Sequence, residues 1–224
     1  MNNNMETKIL WSEDAWNNSK DIVEKIKKHN FIQKLIDGSL DEDIFKEYIS
    51  QDIIYCEIFN SKMKKLSEKL DKEDYKNKLL GYSQSKSSII MREQYQKSFN
   101  LPPSGDKKEI CEKYTSLISD SVDNHSIQEG LSSMLACYWV YFEIGNYIHE
   151  NQDKNNKNNK YQSWIDNYGN PNYGKKVNDY KNICDYYANL APNKKEEMKK
   201  IFIQCVQYEY EFFNEAYESN RKNN

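Results

Sequence analysis

The sequence is poor in the residues that mark tight turns. Only 7 of its 224 residues are glycine and 4 are proline, which is too few for the many turns of an all-β domain. No long segment alternates apolar and polar residues. The longest apolar run, residues 134–142, has about half the length needed to cross a bilayer. These absences exclude an all-β domain, predict no membrane partner and favour an all-α fold.

A strong excess of positive charge is also absent. The 32 basic and 35 acidic residues give a formal net charge of −3, and the isoelectric point is near 5.8. This balance provides no basic surface for a phosphate backbone, so we expect no nucleic-acid partner. The first eight residues are polar and lack the apolar segment of a secretory signal. The five cysteines form no Cys-x-x-Cys pair, which is typical of a reducing compartment and predicts a cytoplasmic protein.

Motifs that bind metals are missing as well. The chain has three histidines, and the residues three positions before them are Ile26, Val122 and Asn146. A di-iron helical bundle requires Glu-x-x-His pairs at that spacing, and the cysteines and histidines do not have the spacing of a zinc site. The sequence therefore predicts no metal and no other cofactor. A haem-binding or di-iron relative remains a less favoured alternative, with His149 as the axial ligand of a haem.

The chain is rich in aromatic residues, which make up 13% of it and include 18 tyrosines. Mean hydropathy is low, at −1.00, because lysine and asparagine are frequent. Disordered chains are depleted in aromatic residues, so the low value reflects a polar surface around a real core. Since no shift in composition divides the chain, we predict a single domain over residues 1–224, with a solvated low-complexity loop at residues 151–160.

Periodic apolar residues and capping signals predict a succession of helices. Ser39 followed by Glu42 has the pattern of a capping box, in which each side chain bonds a backbone N–H of the other residue, and it predicts the start of a long helix. The predicted helices cover approximately residues 11–28, 41–70, 73–99, 106–122, 126–149, 161–168, 177–190 and 193–219. An all-α bundle is therefore the predicted fold.

Two of these helices carry an acidic residue within their apolar face. Asp52 lies at helical spacing between Tyr48 and Tyr55, and Glu209 lies in the same way on the apolar face of the last helix. A carboxyl group on a buried face requires a partner or a function. Each acid, taken alone, can also be explained without a function. It would then be a surface residue on a rotated helix or the partner of a lysine, and this explanation is as good as a functional one.

The most apolar helix adds a thiol to this pattern. Cys137 shares the buried side of that helix with Met134, Tyr141 and Ile148. A thiol, two acids and several tyrosines that converge inside a bundle form a pocket with polar ends. Burial raises the pKa of a carboxylic acid, which suits a general acid, and a neighbouring group can activate a thiol. Cys137 alone is also well explained as a small core residue.

Four segments of the chain are distinctive in sequence. They are residues 45–55 (FKEYISQDIIY), 135–145 (LACYWVYFEIG), 161–169 (YQSWIDNYG) and 208–212 (YEYEF). In this order they resemble the TenA family, the thiaminase II proteins, and the resemblance covers nearly the whole chain. It implies a haem-oxygenase-like all-α fold, usually a homotetramer, with neither metal nor haem. Two positions depart from the family pattern, because Ala136 replaces a usual proline and Asn170 replaces a usual glycine.

The resemblance also implies an activity and a site. Members hydrolyse aminopyrimidines derived from damaged thiamin, releasing hydroxymethylpyrimidine for salvage, and they also cleave thiamin. By motif, Cys137 would be the nucleophile that adds to the pyrimidine ring, and Glu209 would be the acid that assists the leaving amine. Asp52 would hydrogen-bond the amino group and a ring nitrogen of the small-molecule substrate. The pocket would be completed by Tyr55, Tyr114, Tyr141 and Tyr168, with Phe212 stacking on the ring.

A second hypothesis belongs to a different functional class. It is a non-catalytic member of the same fold that binds pyrimidines or acts in regulation. An early label of the family as a transcriptional activator supports it by analogy, but the acidic isoelectric point argues against direct DNA binding. Rapid labelling of one thiol, blocked by a pyrimidine, would favour the hydrolase, whereas five equally slow thiols would favour the alternative. The sequence leaves open whether thiamin, a degraded aminopyrimidine or a phosphorylated form is preferred.

Overall fold

The structure is a computed structural model that describes residues 9–102, 105–153 and 158–221. Every regular element in these ranges is helical, which confirms the predicted all-α fold. The helices are α1 (Trp11–Asn17), α2 (Lys20–Lys28), α3 (Asn30–Asp37), α4 (Glu42–Glu68), α5 (Glu73–Ser83), α6 (Lys86–Ser98), α7 (Glu109–Asn124), α8 (Ile127–Asn151), α9 (Gln162–Tyr168), α10 (Pro171–Leu190) and α11 (Lys195–Arg221). A 3₁₀ turn at Pro192–Lys194 precedes the last helix.

Helix α8 is the centre of the bundle. Its buried residues occur on all sides of the helix between Leu131 and Ile148, as expected of a helix that other helices surround. Helices α4, α7, α9, α10 and α11 all pack against it. Aromatic rings fill the space between α4, α8 and α11. Tyr48 stacks on Phe213 at 5.5 Å between ring centroids, and the hydroxyl oxygens of Tyr48 and Tyr141 are 2.8 Å apart.

Two segments predicted as single helices are each divided into two. The segment at residues 11–28 is interrupted after α1, where the side chains of Asn18 and Ser19 donate to backbone carbonyls one turn earlier, at 2.8 and 3.0 Å. Such bonds compete with continuation of the helix. The segment at residues 73–99 is interrupted at Gln84, between α5 and α6. The first interruption depends on local bonding that the apolar periodicity does not report.

Helix α3 has no counterpart among the predicted helices. Its first turn is capped by His29, whose Nδ1 accepts a hydrogen bond from the backbone N–H of Phe31 at 3.1 Å. Its last turn ends at Gly38, which has a φ of +78° in the left-handed region that favours glycine. Histidine is not among the preferred N-cap residues, so this short helix gave a weak signal in the sequence.

The capping box predicted at Ser39 and Glu42 is wrong. Helix α4 is capped by Asp41, whose carboxylate accepts a hydrogen bond at 2.8 Å from the backbone N–H two residues further on. A true capping box begins α8, where Ser126 and Glu129 bond each other's backbone N–H groups at 3.3 and 2.9 Å. The buried carboxyl of Glu129 therefore stabilises the N-terminus of the central helix.

A close contact between α8 and the end of α9 fixes one wall of the bundle. A Cβ atom on Gly145 would lie 2.5 Å from the backbone nitrogen of Gly169, so only glycine permits this approach. The contact brings the ring of Tyr168 to 4.7 Å from that of Tyr141. The side chain of Asn170 then caps α10 by accepting from the backbone N–H of Tyr173 at 3.0 Å. Asn170, which replaces a glycine usual in the family pattern, therefore acts as a helix cap.

The low-complexity loop predicted at residues 151–160 is only partly solvated. Asn159 is buried, and its side chain donates to the backbone carbonyl of Leu35 at 2.7 Å. Residues 154–157 of this segment lie outside the described residues. In the part of the chain that the structure describes, no helix combines the length and the apolar character of a membrane span.

Candidate active site

A pocket opens between α4, α6, α8 and the α9–α10 connection. It encloses about 520 Å³ of space between atoms, including its open mouth. Five of the residues predicted for the site line it, namely Asp52, Tyr55, Cys137, Tyr141 and Tyr168. Further lining residues come from the ends of α5 and α6 and from α10, and they include Tyr82, Ser85, Ser88, Ile89, Arg92 and Tyr173. We refer to this space as the central pocket.

One end of the central pocket is a buried ion pair. The Nε atom of Arg92 donates to Oδ2 of Asp52 at 2.6 Å, and Nη2 donates to the hydroxyl oxygen of Tyr168 at 3.1 Å. Burial opposes the positive charge of Arg92, but the carboxylate of Asp52 outweighs this effect and keeps the guanidinium pKa well above its ordinary value. One turn along α4, the thiol of Cys56 lies 3.6 Å from Oδ1 of Asp52.

Behind the pocket wall lies an acid that has no cationic partner among the described residues. Glu209 on α11 is 2% exposed, and its Oε1 accepts a hydrogen bond from the hydroxyl of Tyr114 at 2.8 Å. Burial raises the pKa of Glu209 to about 8, the negative charge of Asp52 adds to this shift, and the hydrogen bond from Tyr114 opposes it. Glu209 is therefore mainly protonated at neutral pH and can donate a proton.

Cys137 lines the pocket from α8. Burial, followed by the charge of Glu209, raises the pKa of the Cys137 thiol well above its ordinary value. The resting group is thus a thiol, and it must lose its proton during the reaction in order to act as a nucleophile. Of the other cysteines, Cys56 also lines the pocket, whereas Cys111, Cys184 and Cys205 are buried in the core.

The remaining predicted residues lie behind the pocket wall. The ring of Tyr55 is 4.9 Å from that of Tyr114, and Phe212 meets Tyr55 edge-on at 6.0 Å. Tyr114, Glu209 and Phe212 do not line the central pocket itself. The side chain of Cys137, which does line the pocket, interacts with the carboxyl group of Glu209 and lowers its pKa. The predicted stacking of Phe212 on a substrate ring stays a prediction.

The comparisons with known proteins assign the chain to a family. The sequence profile of the TENA/THI-4/PQQC family matches residues 16–219. The chain belongs to this family. Among its curated relatives, an aminopyrimidine aminohydrolase of Bacillus subtilis is 28% identical over 206 residues, which cover 84% of this chain and 82% of the relative. A protein of the same name from Helicobacter pylori is 26% identical over 220 residues, which cover 93% and 99%.

Solved structures agree with this assignment. A TenA homologue from Pyrococcus furiosus superposes with a TM-score of 0.85 at 17% identity, and the match covers 92% of this chain and 100% of the homologue. This likeness shows that the chain has the TenA fold. The names of the curated relatives are those of an enzyme, so the prediction of an enzyme is confirmed. The roles of the individual residues stay predictions.

For this TenA-family chain, the structure resolves the alternatives left open for the two acids. Both Asp52 and Glu209 are buried, so neither is a surface residue. Asp52 is paired, but with an arginine, and Glu209 bonds a tyrosine. The pairing by Arg92 was missed, although the sequence contains a signal. Arg92 is one of only two arginines among 32 basic residues, and arginine is preferred where a buried carboxylate needs a planar, multidentate partner.

In the described ranges, no group of three or more histidine, cysteine, aspartate or glutamate side chains is arranged to hold a metal ion.

Proposed function

We propose that the protein hydrolyses the C–N bond of an aminopyrimidine in thiamin metabolism and releases hydroxymethylpyrimidine. The substrate is aminomethylpyrimidine or thiamin itself. One observation carries the proposal: Cys137 and a paired carboxylate line one aromatic pocket, and an acid that is protonated at neutral pH lies behind its wall. The names of the relatives from Bacillus subtilis and Helicobacter pylori support the same reaction class.

Binding would depend on the aromatic walls and on Asp52. A pyrimidine is flat, and the pocket presents the rings of Tyr55, Tyr141 and Tyr168, which favour stacked or edge-on contacts with a flat ring. The carboxylate of Asp52 accepts a hydrogen bond from the amino group of the pyrimidine. This contact fixes the ring relative to Cys137, so that the sulfur faces a ring carbon.

The first chemical step is addition of Cys137 to the ring. The S–C bond forms as the thiol proton is transferred, overall, to a ring nitrogen, so the S–H group adds across a ring C=N bond. The addition interrupts the aromatic system. The electron pair that becomes available on the ring then expels the amine from the neighbouring methylene carbon. Glu209 supplies a proton to the leaving nitrogen, which its raised pKa of about 8 allows at neutral pH.

The second step consumes water. A water molecule adds to the exocyclic methylene carbon, and the carboxylate of Glu209 removes its proton, which restores the acid. The S–C bond to Cys137 then breaks as the proton on the ring nitrogen returns to the sulfur, the ring regains its aromatic system and hydroxymethylpyrimidine leaves. In sum, aminomethylpyrimidine and water give hydroxymethylpyrimidine and ammonia, and the enzyme returns to its starting state.

Three further features remain predictions for this chain. A homotetramer is expected from the family resemblance, a cytoplasmic location from the pattern of cysteines, and a single domain over residues 1–224 from the uniform composition. Light scattering on the purified protein would measure its mass in solution. A mass of one or two chains would contradict the tetramer without affecting the proposed chemistry of the pocket.

The proposal is tested by product release from aminomethylpyrimidine and from thiamin. Wild type is expected to release hydroxymethylpyrimidine, and Cys137→Ala is expected to reduce turnover by about 10²-fold or more. Cys184→Ala is the matched control, because Cys184 is a buried cysteine away from the pocket that bonds the carbonyl of Leu131. Folded wild type that binds pyrimidines but turns over neither compound would contradict the hydrolase and favour a non-catalytic binding protein.

A further inference from the structure

Arg92 connects three parts of the pocket wall. Its guanidinium donates from Nε to Asp52 on α4, from Nη2 to Tyr168 at the end of α9 and from Nη1 to the carbonyl of Ser88 on its own helix, at 2.6, 3.1 and 3.1 Å. The side chain is 14% exposed. A planar guanidinium can reach three acceptors in fixed directions, whereas a lysine ammonium on a flexible stem cannot.

These bonds determine which further hydrogen bonds Asp52 and Tyr168 can form. Arginine only donates hydrogen bonds, so the hydroxyl oxygen of Tyr168 acts as an acceptor and its single proton points to a different acceptor. In Asp52, Oδ2 is taken by Arg92. Its Oδ1 has, within the described ranges, a single long contact of 3.6 Å from the weakly donating thiol of Cys56. Because Asp52 and Tyr168 both line the pocket, an acceptor and a donor lie on either side of one guanidinium.

A pyrimidine with a 4-amino group presents the complementary pair of groups. Its amino group donates a hydrogen bond, and the adjacent ring nitrogen accepts one. We infer that Arg92 is a positioning residue that orients Asp52 as the acceptor for the amino group and Tyr168 as the donor to the ring nitrogen, so that the pocket selects 4-aminopyrimidines over 4-oxopyrimidines. This inference rests on the proposed function. It divides between two residues the contacts that the family resemblance assigns to Asp52 alone.

The selectivity arises because a 4-oxopyrimidine reverses the positions of the donor and the acceptor. A 4-oxopyrimidine carries an acceptor oxygen in place of the amino group and a donor N–H at the ring nitrogen. The oxygen would face the carboxylate of Asp52, and the N–H would face a hydroxyl whose oxygen is already bonded to Arg92. The first contact sets two acceptors against each other and leaves both unpaired, and sites of this kind reject such analogues strongly. The second contact requires the Tyr168 oxygen to accept from the ring N–H in addition to Arg92. The charge of Arg92 alone would not produce this discrimination, because it acts equally on both neutral rings.

The test compares binding of hydroxymethylpyrimidine with binding of its 4-oxo counterpart by titration calorimetry. Aminomethylpyrimidine and its 4-oxo counterpart are compared in turnover. Wild type is expected to prefer the amino compound by about 10²-fold or more. Arg92→Lys and Arg92→Gln should lower this ratio by about tenfold or more, with the loss mainly in Kd and KM rather than in kcat. Lys97→Gln removes an exposed charge from the same helix and should leave the ratio unchanged.

Tyr168→Phe provides a second and independent variant. It removes the donor hydroxyl and leaves the pair of Arg92 and Asp52 in place, so the ratio should fall here also, even if the Arg92 variants do not fold. Circular dichroism and thermal unfolding establish that each variant is folded. Folded Arg92 variants that lose affinity for both compounds equally, or that keep the wild-type ratio, would overturn the inference.

The outcomes distinguish this inference from the proposed function. Wild type that turns over aminomethylpyrimidine without preferring it over the 4-oxo compound overturns the inference alone. Wild type that prefers the amino compound in binding, and loses this preference in the Arg92 variants, supports the inference even when no turnover occurs. In that case the hydrolase proposal fails and a pyrimidine-binding protein remains. Wild type that binds neither compound overturns both.

Discussion

The central pocket has one buried acid in its lining and another behind its wall, and the two have different surroundings. Asp52 and Glu209 are both buried carboxyl groups, each 2% exposed. Asp52 faces a guanidinium at 2.6 Å, whereas Glu209 faces a phenol at 2.8 Å, and its pKa is raised to about 8. The first group is therefore held as part of an ion pair, and the second is kept as a proton donor.

The difference shows how partners divide the work between two acids. A carboxyl group beside an arginine recognises and orients, because its charge is balanced and its free oxygen accepts hydrogen bonds. A carboxyl group that is buried without a cation keeps its proton to high pH and can serve as a general acid. We therefore expect replacement of Asp52 and replacement of Glu209 to have different consequences for activity and stability.

The largest expected effect is on turnover when the proton donor is removed. Glu209→Gln keeps the size of the side chain and its hydrogen bond with Tyr114, but it has no acidic proton. We expect kcat to fall by about 10²- to 10⁴-fold, with the protein fully folded. Product release measured at pH 7 tests this. Glu211→Gln, two residues along the same helix, is the control and should retain activity. Loss of activity in both variants would point to disruption of α11 instead.

A smaller effect, on both stability and binding, is expected at the ion pair. Asp52→Asn leaves the buried guanidinium of Arg92 without a balancing charge, which should lower the free energy of unfolding by about 3 kcal/mol. KM should rise by about tenfold or more as the acceptor is lost. Urea unfolding and steady-state kinetics measure the two effects. The control is Asp43→Asn on the same helix, where the carboxylate forms an exposed ion pair with Lys46 and should contribute little.

The smallest effect concerns the pH dependence of stability. The pKa of Glu209 is raised from 4.5 in its ordinary state to about 8 in the folded protein. Between these values the folded state binds one more proton than the unfolded state, so the stability present below pH 4.5 is lost as the pH rises through about 8. We expect this loss to be about 2 kcal/mol. It is smaller than the pKa difference alone implies, because water and neighbouring groups relax around an ionised carboxylate.

The comparison of wild type with Glu209→Gln isolates this contribution. Urea unfolding of both proteins across this pH range should show a decline in wild type that is reduced in the variant. Other titrating groups, such as Glu215, whose pKa burial raises, affect both proteins equally. Equal slopes in the two proteins would contradict the raised pKa of Glu209.

The inner faces of the long helices could be predicted from the sequence. In α4, α8 and α11 the apolar residues recur at helical spacing, so the residues that interrupt the pattern, Asp52 and Glu209, were identified before the structure was known. Their burial follows from the same periodicity, because a helix between other helices buries a whole face. Family motifs added Tyr168, whose short helix carries little pattern of its own.

The partners of these residues could not be predicted. Arg92 lies forty positions from Asp52, on a helix where only Met91 and Tyr95 are buried, so its amphipathic pattern is too weak to indicate which face points inward. The pairing depends on how α6 crosses α4 and α9, and this is a tertiary property. The raised pKa of Glu209 likewise depends on its burial by the neighbouring helices, which no spacing within one helix can report.

Direct titration of Glu209 tests whether this acid keeps its proton at neutral pH. Infrared difference spectra between pH 6 and pH 9 report the carbonyl band of a protonated carboxylic acid, with Glu209→Gln identifying the band and Glu211→Gln as control. We expect this band to disappear with a midpoint near pH 8 in wild type. It should be absent in Glu209→Gln and retained in Glu211→Gln. A Glu209 that is already ionised at pH 6 would contradict its role as the acid for the leaving amine.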